Sequence, residues 1–260
     1  SILGLNYVYN SLNSLYRPTR GMRLNAGVDF AGLGGDVKYL RGRAQASKYW
    51  SVFGDFIFSL SAEGGYIKGL EDRGPNRPDV LLTDRFFLGE PQFRGFDIRG
   101  VGPRVLRQPI VSDADGNPVV VTERDQGGDD AIGGNAYYLG RAELEIPLGS
   151  GARELGLRPS IFLDVGALFD VEQPQLQNSP FPNGIVYQAR DGAGNPLFRR
   201  EDGTITTDAT DADGDPLTPF NQSIAPFQEV FLGNSSAPRI SVGIGVNWNS
   251  PFGPFRIDLA

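Results

Sequence analysis

The chain has 260 residues, a formal charge of −7, and neither histidine nor cysteine. Those two absences remove His-dependent hydrolase triads, thiol nucleophiles, disulfides, and imidazole and thiolate metal sites. With 35 Gly, 19 Pro and 11% aromatic residues, the composition suits strands and turns better than helices. No stretch approaches the ~20 consecutive apolar residues of a spanning helix, so any membrane crossing must use strands.

Apolar and polar residues alternate with period two in eight segments. In the first, Leu3, Leu5, Tyr7 and Tyr9 oppose Gly4, Asn6 and Asn10. Residues 22–30 set Met22, Leu24, Ala26, Val28 and Phe30 against Arg23, Asn25, Gly27 and Asp29. Residues 37–49 place Leu40, Gly42, Ala44 and Ala46 outward and Arg41, Arg43 and Gln45 inward. Residues 53–67 set Phe56, Phe58, Leu60, Ala62 and Tyr66 against Asp55, Ser59, Ser61 and Glu63. Residues 135–147 oppose Ala136, Tyr138, Ala142, Leu144 and Ile146 to Tyr137, Arg141, Glu143 and Glu145, and residues 157–169 oppose Ile161, Leu163, Val165 and Ala167 to Arg158, Ser160 and Asp164. Ile240, Val242, Ile244, Val246 and Trp248 then face away from Arg239, Ser241, Gly243, Gly245 and Asn247, and a short last strand starts at Phe255.

A soluble sandwich fills its hidden face with large apolar groups and charges its outer one. Here the polar face is rich in Gly, Ser and Asn with scattered charges, and the apolar face mixes aliphatics with aromatics near strand ends. That pattern is an all-β, antiparallel, up-and-down transmembrane β-barrel, apolar toward lipid and polar toward a wet lumen. The two long connections, 68–134 and 170–236, are the fourth and sixth of the meander and fall on one side, as long extracellular loops opposite short periplasmic turns do. Residues 170–236 hold ten acidic and three basic residues, the whole charge excess, which argues against a nucleic-acid partner. Only Lys38, Lys48 and Lys68 are lysines, leaving 21 arginines, whose planar forks suit fixed carboxylate pairing.

Both long connections contain hairpin-tip signatures. Asp115-Gly116-Asn117-Pro118 lies between Ile110-Val111 and Val119-Val120-Val121, and Asp191 to Pro196 lies between Val186-Tyr187 and Leu197-Phe198. Asp211, Asp213 and Asp215 have part of a calcium-loop spacing, but Gly214 falls at the fourth position rather than the sixth and no Glu closes the loop. A solvated acidic loop explains them with less, and no metal or other cofactor is expected.

Phe93-Arg94-Gly95-Phe96, Gly100-Val101-Gly102-Pro103, Ile132-Gly133-Gly134-Asn135, residues 142–148, Phe162-Leu163-Asp164-Val165-Gly166, Trp248 to Pro254 and the turn Tyr16 to Gly21 occur in an order that resembles the BamA family of outer-membrane β-barrel assembly insertases. The resemblance covers nearly the whole chain, residues 1–260. It implies the eighth to fifteenth strands of a sixteen-stranded barrel, an internal piece without periplasmic POTRA domains, first strands or closing strand. It also implies a bacterial outer-membrane location, and a non-enzymatic role as scaffold of an insertase that folds and inserts barrel proteins. Outer-membrane lipids, assembly lipoproteins and unfolded barrel clients would be its partners. A TamA-like translocation barrel shares the Arg-Gly-aromatic loop, and a passive pore or secretion channel is the other alternative.

Within the 68–134 loop, expected to fold into the lumen, Arg94 needs acceptors. Glu145 and Asp164 face the lumen by parity, and a guanidinium can bridge two close carboxylates through its fork. Gly95 allows a tight turn and Phe93 and Phe96 offer apolar footing. The family resemblance assigns Arg94, Glu145 and Asp164 to the contact between loop and wall, a structural latch; without it, a solvated loop arginine is the simpler reading. Glu143 with Arg141 is explained by lumen polarity.

Overall fold

The structure, a computed structural model, describes residues 2–32, 37–74, 77–148, 156–250 and 253–260. Eight strands form one antiparallel sheet in chain order: β1 (Ile2–Asn10), β2 (Gly21–Ala31), β3 (Tyr39–Ser51), β4 (Ile57–Gly69), β5 (Ala136–Glu145), β6 (Leu157–Phe169), β7 (Arg239–Ser250) and β8 (Gly253–Leu259). All eight segments that alternate in the sequence are present. Several boundaries shift by one or two residues, and the fourth strand starts later than expected, at Ile57. Phe56 does not belong to the fourth strand; it packs on Phe53, ring centroids 5.0 Å apart, in a turn where Val52 N donates to the Phe56 carbonyl. The last strand begins at Gly253, two residues before Phe255. Of the expected connections 31–36, 148–156 and 249–253, residues 33–36, 149–155 and 251–252 lie outside the described residues, including Pro251 and Phe252 of the Trp248–Pro254 motif.

The period-two pattern becomes a two-faced wall because successive side chains of a strand point to opposite sides. Leu5 is 80% exposed, Val242 67% and Ile257 73%, all on one face. A water-facing sheet would not present such rows of large apolar groups, whereas a lipid-facing one does so by necessity. Aromatics gather where the short turns lie. Trp50 stacks on Phe58 (5.6 Å), Trp248 tilts against Phe255 (5.9 Å), and the Lys48 ammonium stands 5.0 Å from the Trp50 ring centroid. An amphipathic ring beside an ammonium suits the membrane–water interface.

The other face is polar near the turns and carries an apolar core where residues 80–101 pack on it. Inward Tyr39, Ile67, Leu139 and Leu168 bury against Val80, Phe86, Leu88, Phe93 and Val101. Phe86 bridges to Gly134 and Leu88 to Val101, so residues 88–101 form a compact loop whose ends meet. Gly134 must lack a side chain, since a Cβ there would stand 2.6 Å from the Phe169 carbonyl oxygen.

Neither long connection is a unit by itself. Residues 105–129 and 175–230 make a second compact unit, whereas 70–104 and 130–135 belong with the wall. Asn178–Ser179, Phe227–Leu232, Arg104–Ser112 and Pro118–Val120 align in one sheet, and within the second unit Arg107 pairs with Glu229 at 2.8 Å. The tip at 113–117 joins Arg104–Ser112 to Pro118–Val120 as the sequence suggests. The second tip forms as well, with Arg190 bridging Pro196 and Leu197 N donating to the Ala189 carbonyl at 2.8 Å. Its flanking runs part, however: Ile185–Gln188 pairs with Asn221–Ile224, and Phe198–Arg199 pairs with Ile205–Thr206 and Thr218–Pro219. Short apolar runs carry no label for a distant partner, so adjacency in sequence misassigned the flanks of this ribbon.

Candidate functional site

The Phe93–Phe96 turn is built by its own backbone. Phe93 N donates to the Gly89 carbonyl at 2.8 Å and Gly100 N to the Asp97 carbonyl at 2.7 Å. Gly95 has φ of 79°, a left-handed conformation costly for other residues, and a Cβ there would lie 2.7 Å from Ser241 Oγ. Phe93 is fully buried in the core, Phe96 packs at its margin, and the two rings are 4.5 Å apart. The turn therefore rests on apolar contact on both sides of Arg94.

Arg94 reaches the wall with its whole fork. Nε donates to Asp164 Oδ2 at 2.8 Å and Nη2 to Asp164 Oδ1 at 2.6 Å, a bidentate pair, while Nη1 donates to Glu143 Oε2 at 3.1 Å. The guanidinium carbon stands 3.5 Å from the centroid of the Phe162 ring, which supplies a π-face beneath it. The Arg94 side chain is 10% exposed and that of Asp164 0%. Burial by itself disfavours the charged guanidinium, but the hydrogen bonds and charge of Asp164, then of Glu143, outweigh it and hold the Arg94 pKa above its ordinary value.

Of the two expected carboxylates, the structure brings Asp164 to Arg94 and puts Glu143 in the place assigned to Glu145. Both glutamates have the right parity, and distance along the strand decides between them. Asp164 lies opposite Arg141, so Glu143 is two residues away and Glu145 four, or about 13 Å at ~3.3 Å per residue. Glu145 instead lies 3.6 Å from Arg158 on β6. Lumen polarity alone is thus too weak an account of Glu143. Sequence reasoning also passed over Arg256 and Asp258 on β8. Arg256 donates to both oxygens of Glu143, at 2.9 and 3.1 Å, and to Asp258 at 2.8 Å. Alternation in the last six residues marks the strand but carries no sign of a partner on β5.

The acidic triplet Asp211, Asp213 and Asp215 is the third copy of a turn already present twice. Asp211 Oδ1 accepts from the N–H groups of Asp213 (3.0 Å) and Asp215 (2.8 Å), as Asp113 Oδ1 does from Asp115 and Asn117, and Asp191 Oδ1 from Ala193 and Asn195. The aspartate spacing is that of an Asx-closed tip, and no cluster of three or more acidic residues suited to a metal occurs among the described residues. The Asn117 N–H holds the Asp113 carboxyl below its ordinary range, and the Asn195 side-chain amide and N–H do so for Asp191. Because the folded pKa is lowered, the tip's stabilisation is complete above the ordinary carboxyl value of about 3.9 and disappears as pH falls through the lowered one. Titration of the Asn117 and Asn195 amide proton shifts should show midpoints below that value; midpoints at or above it would remove the hydrogen-bonded tips.

A lipid-facing antiparallel wall with a polar inner face, and a loop fastened to that face by a buried guanidinium, defines an integral membrane β-barrel of the outer-membrane type. The chain belongs to the Omp85 superfamily, whose domain matches residues 1–260. It is 30% identical over 261 residues to the outer membrane protein assembly factor BamA of Neorickettsia risticii, covering 100% of this chain and 24% of that protein. It is also 30% identical over 111 residues to the SAM50-like protein CG7639 of Drosophila melanogaster, covering 42% of this chain and 24% of that protein. The crystal structure of BamA from Haemophilus ducreyi lacking POTRA domains 1–3 shares the fold, with a TM-score of 0.60 at 22% identity over 99% of this chain and 38% of that one. The matched stretch spans about a quarter of the length of each of these two curated relatives.

Proposed function

We propose that this chain is a wall segment of an outer-membrane barrel that assembles other barrel proteins, and that residues 88–101 act in it as a structural latch. The observation that carries the reading is the Arg94 fork, buried against Asp164 and Glu143 inside an Omp85 domain. A loop held by one directional, desolvated contact takes a defined position on the inner wall, where a loosely solvated loop would not. The chemistry is mechanical: Arg94 makes no bond-breaking step, and the role is not enzymatic. By likeness to BamA, the substrates are unfolded barrel proteins and the partners are assembly lipoproteins and outer-membrane lipids. The side bearing the two long connections is the extracellular one.

Insertion of an unfolded barrel client into liposomes by the full-length protein tests this reading. Arg94→Ala is expected to lower the insertion rate about tenfold or more, in line with loss of a buried charged contact. An unchanged rate would sink the latch as part of assembly. A passive pore is a second reading, favoured by a polar recess of about 530 Å³ lined by Asn6, Asn25, Arg43, Gln45 and Glu63. Steady ion conductance by the wild-type protein, with no client inserted, would select it.

A further inference from the structure

Strand β8 carries a cation that turn closure alone does not require. Arg256 faces inward from β8 and spans several partners: Nε donates to both oxygens of Asp258, Nη1 and Nη2 to the two oxygens of Glu143, and Nη1 also lies 3.3 Å from Asn247 Oδ1. Glu143 is on β5, three strands away in sheet order. The two side chains meet across β6 and β7 beside Ser160 and Gly245, to one side of the Phe162 ring. A Cβ on Gly245 would stand 2.4 Å from Asp258 Oδ1 and 3.1 Å from both Arg256 Nη2 and Ser160 Oγ. Glu143 Oε2 consequently accepts from Arg94 and from Arg256, each at 3.1 Å.

The charges form one group. Arg94 and Arg256 stand among Asp164, Glu143 and Asp258, with Arg94 Nη1 3.8 Å from Asp258 Oδ1. A glutamate held by one monodentate contact retains rotamer freedom and must lose it to serve as an acceptor. Gripped on both oxygens by Arg256, Glu143 is already oriented when Arg94 arrives.

We propose that Arg256 is a positioning residue which couples the Phe93–Phe96 turn to strand β8, so that the two are held or released together. This rests on the latch reading above and adds a dependence of that latch on a strand three places along the wall from Glu143. A carboxylate shared between a loop and a strand gives the two a common equilibrium. Coupling of this kind is reciprocal: whatever releases the strand weakens the turn, and whatever releases the turn weakens the strand by the same factor.

Hydrogen exchange of the full-length protein in liposomes tests the coupling, read at residues 89–100, at residues 255–259, and at residues 24–30 of β2 as a folding control. Arg256→Met is expected to speed exchange in 89–100 about tenfold, and Arg94→Met to speed exchange in 255–259 by a similar factor. Arg256→Lys should fall between, and the double variant should exceed either single variant only slightly. A β8 segment indifferent to Arg94→Met, or fully additive single effects, would overturn the proposal. If a methionine variant also accelerates β2, the lysine variants at both positions decide by the same reciprocity. Reciprocity present while insertion is unaffected by Arg94→Ala would keep the coupling and discard the latch's role in assembly.

Discussion

Replacing Arg94 with alanine is expected to free residues 88–101 from the wall at a local cost of about 3–5 kcal/mol, the range for breaking one side of a buried ion pair. The size follows from what stays behind. Asp164 is fully buried and loses both fork contacts, and Glu143 loses one of its two guanidinium donors. Arg94→Lys keeps the charge but presents one ammonium where three nitrogens now reach two carboxylates, so it should recover only part of the loss. Chymotrypsin reports the outcome in the full-length protein in liposomes. The bond after Phe93 is protected while its ring is buried, and cutting there should rank Arg94→Ala above Arg94→Lys above wild type. Equal protection in all three would show that the fork does not hold the turn. In the Arg94→Ala/Asp164→Ala double variant the cost should be smaller than the sum of the single costs, because no buried charge is then left unpaired.

The wall was legible because a lipid-facing strand obeys a rule with period two, and that rule fixes which residues face inward even when partners are unknown. Parity brought Asp164 to the correct face and could not separate Glu143 from Glu145, since both satisfy it. Register separates them, and register depends on where neighbouring strands start: β5 begins at Ala136 and Arg141, not Glu143, meets Asp164. Arg256 was illegible for a further reason. Its contact with Glu143 crosses two strands, and it exists because Gly245 and Ser160 leave the path clear, a property of two positions on two strands at once. In the second unit, Ile185–Gln188 found a partner more than thirty residues away at Asn221–Ile224, and local turn signals point only to near neighbours. The Asx tips were readable as turns because their chemistry is local. The same locality explains why Asp211 to Asp215 could imitate a metal loop.

Truncating Phe93 should release the same loop by a different physics. Its side chain has no exposed surface and packs in the cluster of Leu88, Val101, Leu139 and Leu168, with Phe96 4.5 Å away. Phe93→Ala removes that apolar area and leaves a void that the strand-anchored walls cannot collapse into, for a cost of about 3–5 kcal/mol. Phe93→Leu keeps most of the volume and should cost below about 1.5 kcal/mol. The two positions are thus expected to differ in tolerance while matching in maximum effect. Apolar contact is non-directional, so a leucine of altered shape still fills the site. The guanidinium contact is directional, so a lysine of the same charge does not replace it. Exchange protection of residues 89–100 across Phe93→Leu, Phe93→Ala, Arg94→Lys and Arg94→Ala measures both tolerances together. If Phe93→Leu loosens the loop as much as Phe93→Ala while Arg94→Lys leaves it intact, the ring's shape holds the turn and the ion pair merely accompanies it.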